Sequence, residues 1–436
     1  MSRRMVTPHF VTQNNLLGLL CSTQYFVNVD SWFSFRILCN SHDCTPKAHL
    51  RGCLLPIKFN VQHSTMSPDL PFDIITLIID IIGENKDRNL LKELALVSHS
   101  FLQICRKHLF ATVILDDASS KGFVKLLKSR PDAVKHIRDL VFRVGRVGSN
   151  TDDDDHQLSP ILLKFLPTFS RLNCLAIFAS YQDWSILNSS LTSAFLHLMH
   201  LPTINHIRIS NIQNFPLSSL TLSVNLHRLD LFNLKYLNLL EEESSPEILM
   251  GTMPKIREFH TTNCSLTRRL LHARMRDGRP AFNLMDLRRV SMSFGDERDM
   301  RYILQNAKLL ENFHLSVFGS CSLVGILSLS PRTLKVLDLK LFLFNFGFAL
   351  LGGLYEELEA LAGHNMLEAL SFAFQVDGDE TEDSIGSVMQ EVEKVLVKPG
   401  WSALKQVSLT VSIASSENSV KLCEALQSLP NKYLSH

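Results

Sequence analysis

The sequence has little glycine and lacks the glycine-based motifs that hold phosphates or expose a nucleophile. Glycine accounts for 18 of the 436 residues, and neither a Gly-x-Ser-x-Gly elbow nor a Gly-x-x-x-x-Gly-Lys-Ser/Thr loop occurs. A His-Glu-x-x-His zinc helix is also missing. We therefore predict no catalytic residue and no cofactor, and we expect that the protein is not an enzyme.

The sequence also has no excess of positive or negative charge. Lysine and arginine together number 44 and aspartate and glutamate 43, so the chain has no net field to attract nucleic acid or an anionic membrane. The longest uncharged suspect run, residues 341–355, is 15 residues long, whereas a bilayer-spanning helix needs about 20. We expect neither nucleic acid nor a membrane among the partners.

Closely spaced cysteine pairs are absent too. The nine cysteines are an odd number without a Cys-x-x-Cys pair, which fits a reducing compartment, the cytoplasm or the nucleus. Three cysteines and two histidines cluster in residues 39–53, but their spacing matches no closed zinc module. Residues 377–383 begin like a calcium loop, yet Gly378 and Thr381 do not fit that pattern. We therefore predict no metal site.

Apolar residues are abundant from residue 70 to residue 115, where they form three short helical patterns. Pro71 suits a first helical position, and Asp73 then lies near the positive end of the helix dipole. The expected N-caps of the second and third helices are Asp87 and either Ser98 or Ser100. Apolar residues cover nearly the whole circumference of the first helix, and so small a unit cannot bury them alone. The helices either pack on the rest of the chain or bind a foreign partner.

Several short motifs in this stretch occur together in a known family. They are Leu70 and Pro71 followed by Asp73, the pair Ile74 and Ile75, the run from Leu96 to Ser98, the aromatic Phe101, and the run from Arg106 to Phe110. Together they closely resemble an F-box, in the form common in mushroom-type fungal proteins. Asp73 stands where glutamate is more usual and Phe101 where the family often has tryptophan, so we expect a lowered adaptor affinity.

The resemblance implies a partner for the helices. An F-box docks on a Skp-type adaptor and through it on a cullin, the scaffold of a ubiquitin ligase. The residues that the resemblance assigns to the adaptor contact are Leu70, Pro71, Ile74, Ile75, Ile78, Leu94, Val97, Phe101 and Leu109.

A second pattern, with the spacing L-x-x-L-x-L, recurs along the remainder of the chain. Its copies begin at Ile137, Leu172, Ile204, Leu226, Leu287, Leu310, Leu334, Leu367 and Leu404, with a weaker copy at Ile256. This is the leucine-rich-repeat pattern in an irregular form, without the usual turn asparagine. Each copy predicts a short strand and a returning helix, such as residues 300–309 or 385–397. A globular α/β domain with unrelated buried strands is the alternative.

Residues that alternate with the buried positions should face outward on the concave side of the sheet. We expect these residues to recognise a target protein, because arginine and histidine can serve as directional anchors. An ordinary solvated surface is the alternative for any single residue. The predicted target-binding residues are His206, Arg208, Arg228, Asp230, His260, Arg289, His314 and Asp338.

The sequence as a whole predicts an α/β protein with a small three-helix F-box, followed by an irregular leucine-rich-repeat-like solenoid with a curved parallel sheet. Residues 1–65 receive no fold, with disorder as one interpretation, residues 66–115 form the F-box, and residues 116–436 form the solenoid. One hypothesis is that translation naturally starts at Met66.

Two functions follow from this organisation. The first is a substrate-receptor subunit of a Skp-cullin-F-box type ubiquitin ligase that binds a protein target of unknown identity. The alternative is a repeat scaffold outside any ligase, whose F-box-like helices only cap the solenoid. In that case Ile78 and Phe101 would be buried against residues 111–145.

Overall fold

The computed structural model shows an α/β protein built around one large sheet. The structure describes residues 20–28, 32–39, 71–85, 87–145, 166–235, 248–249, 254–262, 264, 266–293, 297–318, 323–330, 332–343, 353–362, 366–376 and 392–414. Leu70, residues 40–53 of the cysteine and histidine cluster, and the loop at 377–383 lie outside these ranges. Among the described residues, no helix is long and apolar enough to cross a bilayer.

The strands and helices are numbered along the chain. The strands are β1 (Leu20–Asn28), β2 (Trp32–Cys39), β3 (Thr112–Leu115), β4 (Asp139–Val144), β5 (Cys174–Asp183), β6 (His206–Gln213), β7 (Arg228–Phe232), β8 (Ile248–Leu249), β9 (Glu258–Thr262), β10 (Arg274–Met275), β11 (Arg289–Ser293), β12 (Asn312–Phe318), β13 (Val336–Leu343), β14 (Ala369–Val376) and β15 (Gln406–Ala414). The α-helices are α1 (Phe72–Glu84), α2 (Arg88–Val97), α3 (His99–Leu109), α4 (Asp117–Ser129), α5 (Ser189–Met199), α6 (Leu266–His272), α7 (Glu297–Asn306) and α8 (Leu354–Leu361). Short 3-10 helices span Pro131–His136, Leu166–Thr168, Trp184–Ile186, Leu217–Leu222 and Leu327–Leu329.

The large sheet has thirteen strands in the order β2-β1-β15-β14-β13-β12-β11-β9-β7-β6-β5-β4-β3. Eleven of them, from β15 to β3 in this order, are parallel to their neighbours. The pairing of β1 with β15 and with β2 is antiparallel, and β8 and β10 form a separate parallel pair. The α/β class with a large parallel sheet is therefore confirmed, and β1 and β2 lie in a segment for which the sequence predicted no fold.

Ten of the eleven parallel strands coincide with the L-x-x-L-x-L copies, including the weaker copy at Ile256, and β3 is the parallel strand without a copy. The middle apolar residue of each copy pairs in register with that of the next strand, and all of these residues are buried: Leu140, Leu175, Ile207, Leu229, Phe259, Val290, Phe313, Leu337, Leu370 and Val407. Helices pack against this side of the sheet, so one apolar core runs from Leu115 to Leu409. The opposite side carries the alternating residues and is called the polar face below.

A hydrogen-bond pattern recurs between neighbouring parallel strands. The carbonyl oxygen of the residue before one strand accepts two backbone N–H groups from the start of the next. The oxygen of Asn205, for example, accepts from His227 and Arg228, both at 2.9 Å. Each neighbouring pair of parallel strands from β3 to β15 repeats this arrangement. The repetition indicates one structural unit used again and again, although the lengths of the copies differ.

The returning segments are less regular than the strands. Helix α7 begins and ends three residues before the predicted range 300–309, and of the range 385–397 the described part is helical at 392–396. Two asparagines, Asn211 within β6 and Asn233 directly after β7, adopt a left-handed backbone, and Asn233 Nδ2 donates to Asn211 Oδ1 at 2.9 Å. They lie one residue before the position where the repeat pattern would place an asparagine.

Helices α1, α2 and α3 form a unit of their own. The side chain of Asp87 accepts from the N–H of Leu90 at 3.1 Å, and that of Ser98 accepts from the N–H of Phe101 at 3.2 Å. The predicted cap at Asp87 is therefore confirmed, and Ser98 caps the third helix. The unit has a small separate core of four buried residues, Ile79, Leu91, Ile104 and Cys105.

Candidate binding surfaces on the helices and the sheet

Helix α1 presents apolar side chains that nothing in the described chain covers. Ile74, Leu77, Ile78 and Ile81 are all exposed, and their spacing of i, i+3, i+4 and i+7 puts them on one face of the helix. Phe72, at the start of α1, is exposed on another side of the helix, next to α3, and Leu90, Leu96 and Val97 of α2 are also exposed. We call these eight residues the helical patch. Exposed clusters of this kind mark interaction surfaces.

The predicted adaptor-binding residues divide into two groups. Pro71, Ile74, Ile78 and Val97 are exposed, whereas Ile75, Leu94, Phe101 and Leu109 are partly buried against the small helical core. The ninth, Leu70, lies outside the described residues. The prediction omitted five exposed residues of the helical patch, Phe72, Leu77, Ile81, Leu90 and Leu96. Helical spacing along α1 would have found Leu77 and Ile81.

A close approach between α1 and α3 fixes the shape of the unit. Gly83 faces the imidazole ring of His108, and a Cβ at this position would overlap that ring. His108 Nε2 lies 2.8 Å from Asp80 Oδ1, and Lys107 Nζ lies 2.6 Å from the same oxygen. Burial raises the pKa of Asp80, but the hydrogen bonds from Lys107 and His108 outweigh it, so the pKa lies below its ordinary value.

The helical unit sits at the β3 edge of the sheet without covering its own patch. Arg88 of α2 donates through Nη2 to the carbonyl oxygen of Thr112 at 2.7 Å, so the unit is tied to this edge strand. Ile78 nevertheless remains 44% exposed. Phe101 packs against the core of the helical unit itself, beside Ile104. The burial of Ile78 that the scaffold interpretation expects is therefore not seen.

On the polar face, a buried carboxylate accepts hydrogen bonds from charged side chains of two strands, β6 and β7. Asp230 of β7 is completely buried. Its oxygens accept from His206 Nε2 at 2.9 Å, from Arg208 Nε at 3.0 Å and Nη2 at 2.9 Å, and from Arg228 Nε at 3.1 Å. Burial raises the pKa of Asp230, but hydrogen bonds from His206 and Arg228 dominate and hold that pKa far below its ordinary range.

The charged cluster continues along the strand order. Glu258 of β9 accepts from Arg228 Nη1 at 3.3 Å and from Arg289 Nη1 at 3.2 Å, so it links β7 to β11. His314 Nδ1 and Asp338 Oδ2 form a second pair, 3.1 Å apart, between β12 and β13. The predicted target-binding residues thus lie on adjacent strands of one face. Asp230 differs from the others because its carboxylate is completely buried and holds Arg208 and Arg228 in position.

His260 lies beside Asp230 in the strand register. Burial lowers the pKa of His260, although Asp230 acts in the opposite sense. A neutral imidazole is the form that this environment favours. Its Nε2 atom is buried and makes no hydrogen bond within the described part of the chain.

A thiol, an imidazole and a carboxylate also form a chain of side-chain contacts on this face. Cys174 Sγ is 3.2 Å from His206 Nδ1, and His206 in turn contacts Asp230. Burial and the nearby Asp139 raise the pKa of Cys174 to about 12. The thiolate is the reactive form of cysteine, so this arrangement does not generate a nucleophile at neutral pH.

Several residues of the polar face were missed by the prediction. Phe178 and Phe232 flank Ser210 in register one row further along the strands. The guanidinium carbon of Arg208 lies 5.8 Å from the ring centroid of Phe232, and Lys235 Nζ lies 5.9 Å from that of Tyr181. The alternation of strand residues continues past the L-x-L segment, and that continuation would have included both phenylalanines.

Comparison with known proteins does not assign the chain to a family. Neither the scan of family models nor the search of curated proteins gave a match. The geometry of the two surfaces is therefore the basis for function.

Proposed function

We propose that this protein is a substrate-receptor subunit of a Skp-cullin-F-box type ubiquitin ligase in the cytoplasm or nucleus. In this proposal, α1, α2 and α3 form an F-box that docks on a Skp-type adaptor. The parallel sheet belongs to an irregular leucine-rich-repeat-like solenoid, and its polar face binds a target protein. The protein transfers no ubiquitin itself, so it acts by raising the local concentration of the target near the charged carrier enzyme.

The observation that carries this proposal is the uncovered face of α1. Its four aligned aliphatic residues lie in a unit with a core of only four buried side chains. Fully burying one such side chain contributes about 1.5–3 kcal/mol, so a partner that covers the face gains a large apolar contact. An adaptor would supply the apolar neighbours that this unit lacks. The resemblance of the motifs in this stretch to an F-box supports the same partner.

A second candidate role has one observation in its favour. Arg88 ties the helical unit to the edge strand β3, which suits a cap that protects the end of a repeat array. Capping and docking use different sides of the unit, however, because Arg88 reaches the sheet while Ile78 stays exposed. A scaffold role alone does not explain why the residues of the helical patch are exposed.

The test is a direct measurement of adaptor binding with the purified full-length chain. Titration calorimetry with a purified Skp-type adaptor should detect a complex, and Ile78→Asp should weaken it at least about tenfold by placing a charge in the apolar contact. Ile186→Asp is the matched control, since Ile186 is an exposed isoleucine outside the helical unit. It should bind like the wild type. Absence of binding by a wild-type chain with a native circular dichroism spectrum would remove the ligase proposal.

A further inference from the structure

The ten strands that carry the L-x-x-L-x-L copies all begin at the same edge of the large sheet, because neighbouring strands run in the same direction. For each copy, we consider the two residues before it and the two residues between its first and second apolar residues. We call these forty positions the strand-start rim. They hold twelve lysine and arginine residues but only five aspartate and glutamate residues. The rim is therefore basic in a chain that is nearly neutral as a whole.

The basic and acidic residues of the rim also differ in exposure. Eleven of the twelve basic residues are exposed, and the other, Arg228, is partly buried. Each of the five acidic residues is partly buried: Asp139, Glu258, Asp286, Glu311 and Glu368. Glu258, Glu311 and Glu368 pair with arginine or lysine side chains of the rim. The charge that the rim presents to solvent is therefore positive, and it attracts an acidic partner.

Four exposed apolar side chains lie among these basic residues. Each is one of the two residues before a copy of the pattern, and their exposed fractions run from 42% to 62%: Val224, Met285, Leu309 and Met366. Methionine and arginine are enriched in protein interfaces. No phenylalanine, tyrosine or tryptophan occurs at the forty positions, so the rim has no aromatic side chain on which a nucleic-acid base could stack. This composition favours a protein partner.

The central part of the rim, from β9 to β13, places these groups at a defined spacing. Met285 and Leu309 precede the neighbouring strands β11 and β12, between Arg257 directly before β9 and Lys335 directly before β13. The carbonyl oxygens of Arg257 and Lys335 occupy equivalent places in the repeated hydrogen-bond pattern, so their backbones lie three strand spacings, or about 14 Å, apart. Residues i and i+4 of an extended peptide are about 13 Å apart and point to the same side. Two carboxylates at this spacing match the two basic residues.

We propose that the strand-start rim from β9 to β13 binds an extended acidic segment of a partner protein. Two carboxylates of the segment, four residues apart, pair with Arg257 and Lys335, and an apolar side chain midway between them contacts Met285 and Leu309. This inference goes beyond the proposed function, because the rim is separate from the helical patch and needs no adaptor. A nucleic acid fits the rim less well, since Glu311 lies between Arg257 and Lys335 in the strand order and repels phosphate groups.

The experiment measures binding of short labelled peptides to the full-length protein by fluorescence anisotropy. The first peptide has two glutamates four positions apart, a leucine midway between them and serine elsewhere. The second replaces both glutamates with lysine, and the third replaces the leucine with serine. We expect the first to bind at least about tenfold more tightly than the second and about threefold more tightly than the third. A single-stranded RNA of the same length and phosphatidylserine vesicles are the competing probes, and neither should displace the first peptide.

Substitutions locate the binding on the rim. Arg257→Glu and Lys335→Glu should each weaken the first peptide about fivefold, because each repels a carboxylate. Lys125→Glu is the matched control, since Lys125 is exposed on α4 and lies outside the rim. It should leave the affinity unchanged. Met285→Ser should weaken the first peptide but not the third, which lacks the leucine. Each variant is compared with the wild type by circular dichroism.

Adaptor binding is measured on the same samples so that the two proposals fail separately. The rim inference is overturned if the second or third peptide binds as tightly as the first, if RNA or vesicles displace the first, or if the first does not bind. Wild-type affinity of both Arg257→Glu and Lys335→Glu overturns it as well. Each of these results leaves the ligase proposal standing if the adaptor complex still forms. Failure of that complex with the peptide preference intact would instead overturn the ligase proposal alone.

Discussion

The helical unit and the sheet are both rich in aliphatic residues, but the two regions bury these residues to different extents. Leu337, in the middle of the sheet, is fully buried, whereas Ile78 on α1 is 44% exposed. Each inner strand of the sheet has neighbours on both sides that extend its core, as in a repeat array. The three helices have no such neighbours on the α1 face. Apolar composition alone therefore does not distinguish side chains that stabilise the fold from side chains that are available to bind a partner. The distinction depends on whether neighbouring segments cover them.

The same contrast holds for polar groups. In the helical unit, Asp80 is partly exposed and pairs with Lys107 and His108 near the surface. In the sheet, Asp230 is completely buried and accepts hydrogen bonds from three side chains. Exposed pairs contribute little to stability, while breaking a buried pair is costly. We expect substitutions to destabilise the sheet much more than the helical unit.

The largest expected effect is the loss of a large core side chain in the sheet. Phe313→Ala removes a ring that is completely buried between β11 and β13. It should lower the free energy of unfolding by about 3–5 kcal/mol, since it removes apolar contacts and leaves a cavity. Urea denaturation followed by circular dichroism measures the change. A loss below about 1 kcal/mol would contradict a continuous core.

Asp230→Asn should have the next largest effect. At neutral pH we expect a loss of about 3 kcal/mol, at the low end for a broken buried pair, because the amide oxygen still accepts one hydrogen bond. The pKa of Asp230 is lowered in the folded state. The charged carboxylate therefore stabilises the fold above its unfolded pKa of about 3.9 and loses this contribution as the pH falls toward the lower folded value.

The pH dependence separates this explanation from a simple packing defect. Denaturation of the wild type and of Asp230→Asn should be compared at neutral pH and at several values below about pH 4. The difference in stability should shrink as the pH falls. A difference that stays constant over this range would mean that the charge of Asp230 does not stabilise the sheet.

A smaller effect is expected at the contact between α1 and α3. Gly83→Ala places a methyl group against the ring of His108, and overpacking costs about 1–3 kcal/mol, while the gain in helix propensity offsets about 1 kcal/mol. We expect a net loss of about 1 kcal/mol by denaturation. Gly122→Ala in α4 is the control, because a Cβ there meets open space. It should stabilise the protein, and equal effects of the two changes would contradict the packing explanation.

The smallest effect on stability is expected in the helical patch. Ile78→Asp replaces an exposed side chain, and such changes usually alter the free energy of unfolding by no more than about 0.5 kcal/mol. Thermal and urea denaturation should therefore resemble the wild type, although we expect adaptor binding to be weakened. A loss of several kcal/mol would show that Ile78 belongs to the fold, and the contrast between the two regions would fail.

Local patterns in the sequence were sufficient to locate the strands of the sheet. The L-x-x-L-x-L copies predicted ten of its parallel strands because each buried position is determined by alternation within one strand. The charged residues of the polar face followed from the same alternation. The cap at Asp87 followed from residue type and position.

Other features depend on which segments become neighbours in space. That Asp230 is buried results from His206, Arg208 and Arg228 converging from two strands, and no local pattern shows it. The role of Gly83 depends on the approach of His108, which lies on another helix. The alignment of Phe178, Ser210 and Phe232 in one row likewise depends on the register of β5, β6 and β7. Contacts of this kind join residues that are far apart in the sequence, so local sequence patterns do not predict them.

Hydrogen exchange measured with and without a Skp-type adaptor would show which of the two regions binds it. We expect the adaptor to slow amide exchange in α1, α2 and α3 and to leave the parallel strands unchanged, because the helices gain the apolar neighbours they lack while the sheet already has its own. Unaltered exchange in the three helices, or slower exchange only in the sheet, would rule out the helical unit as the adaptor-binding surface.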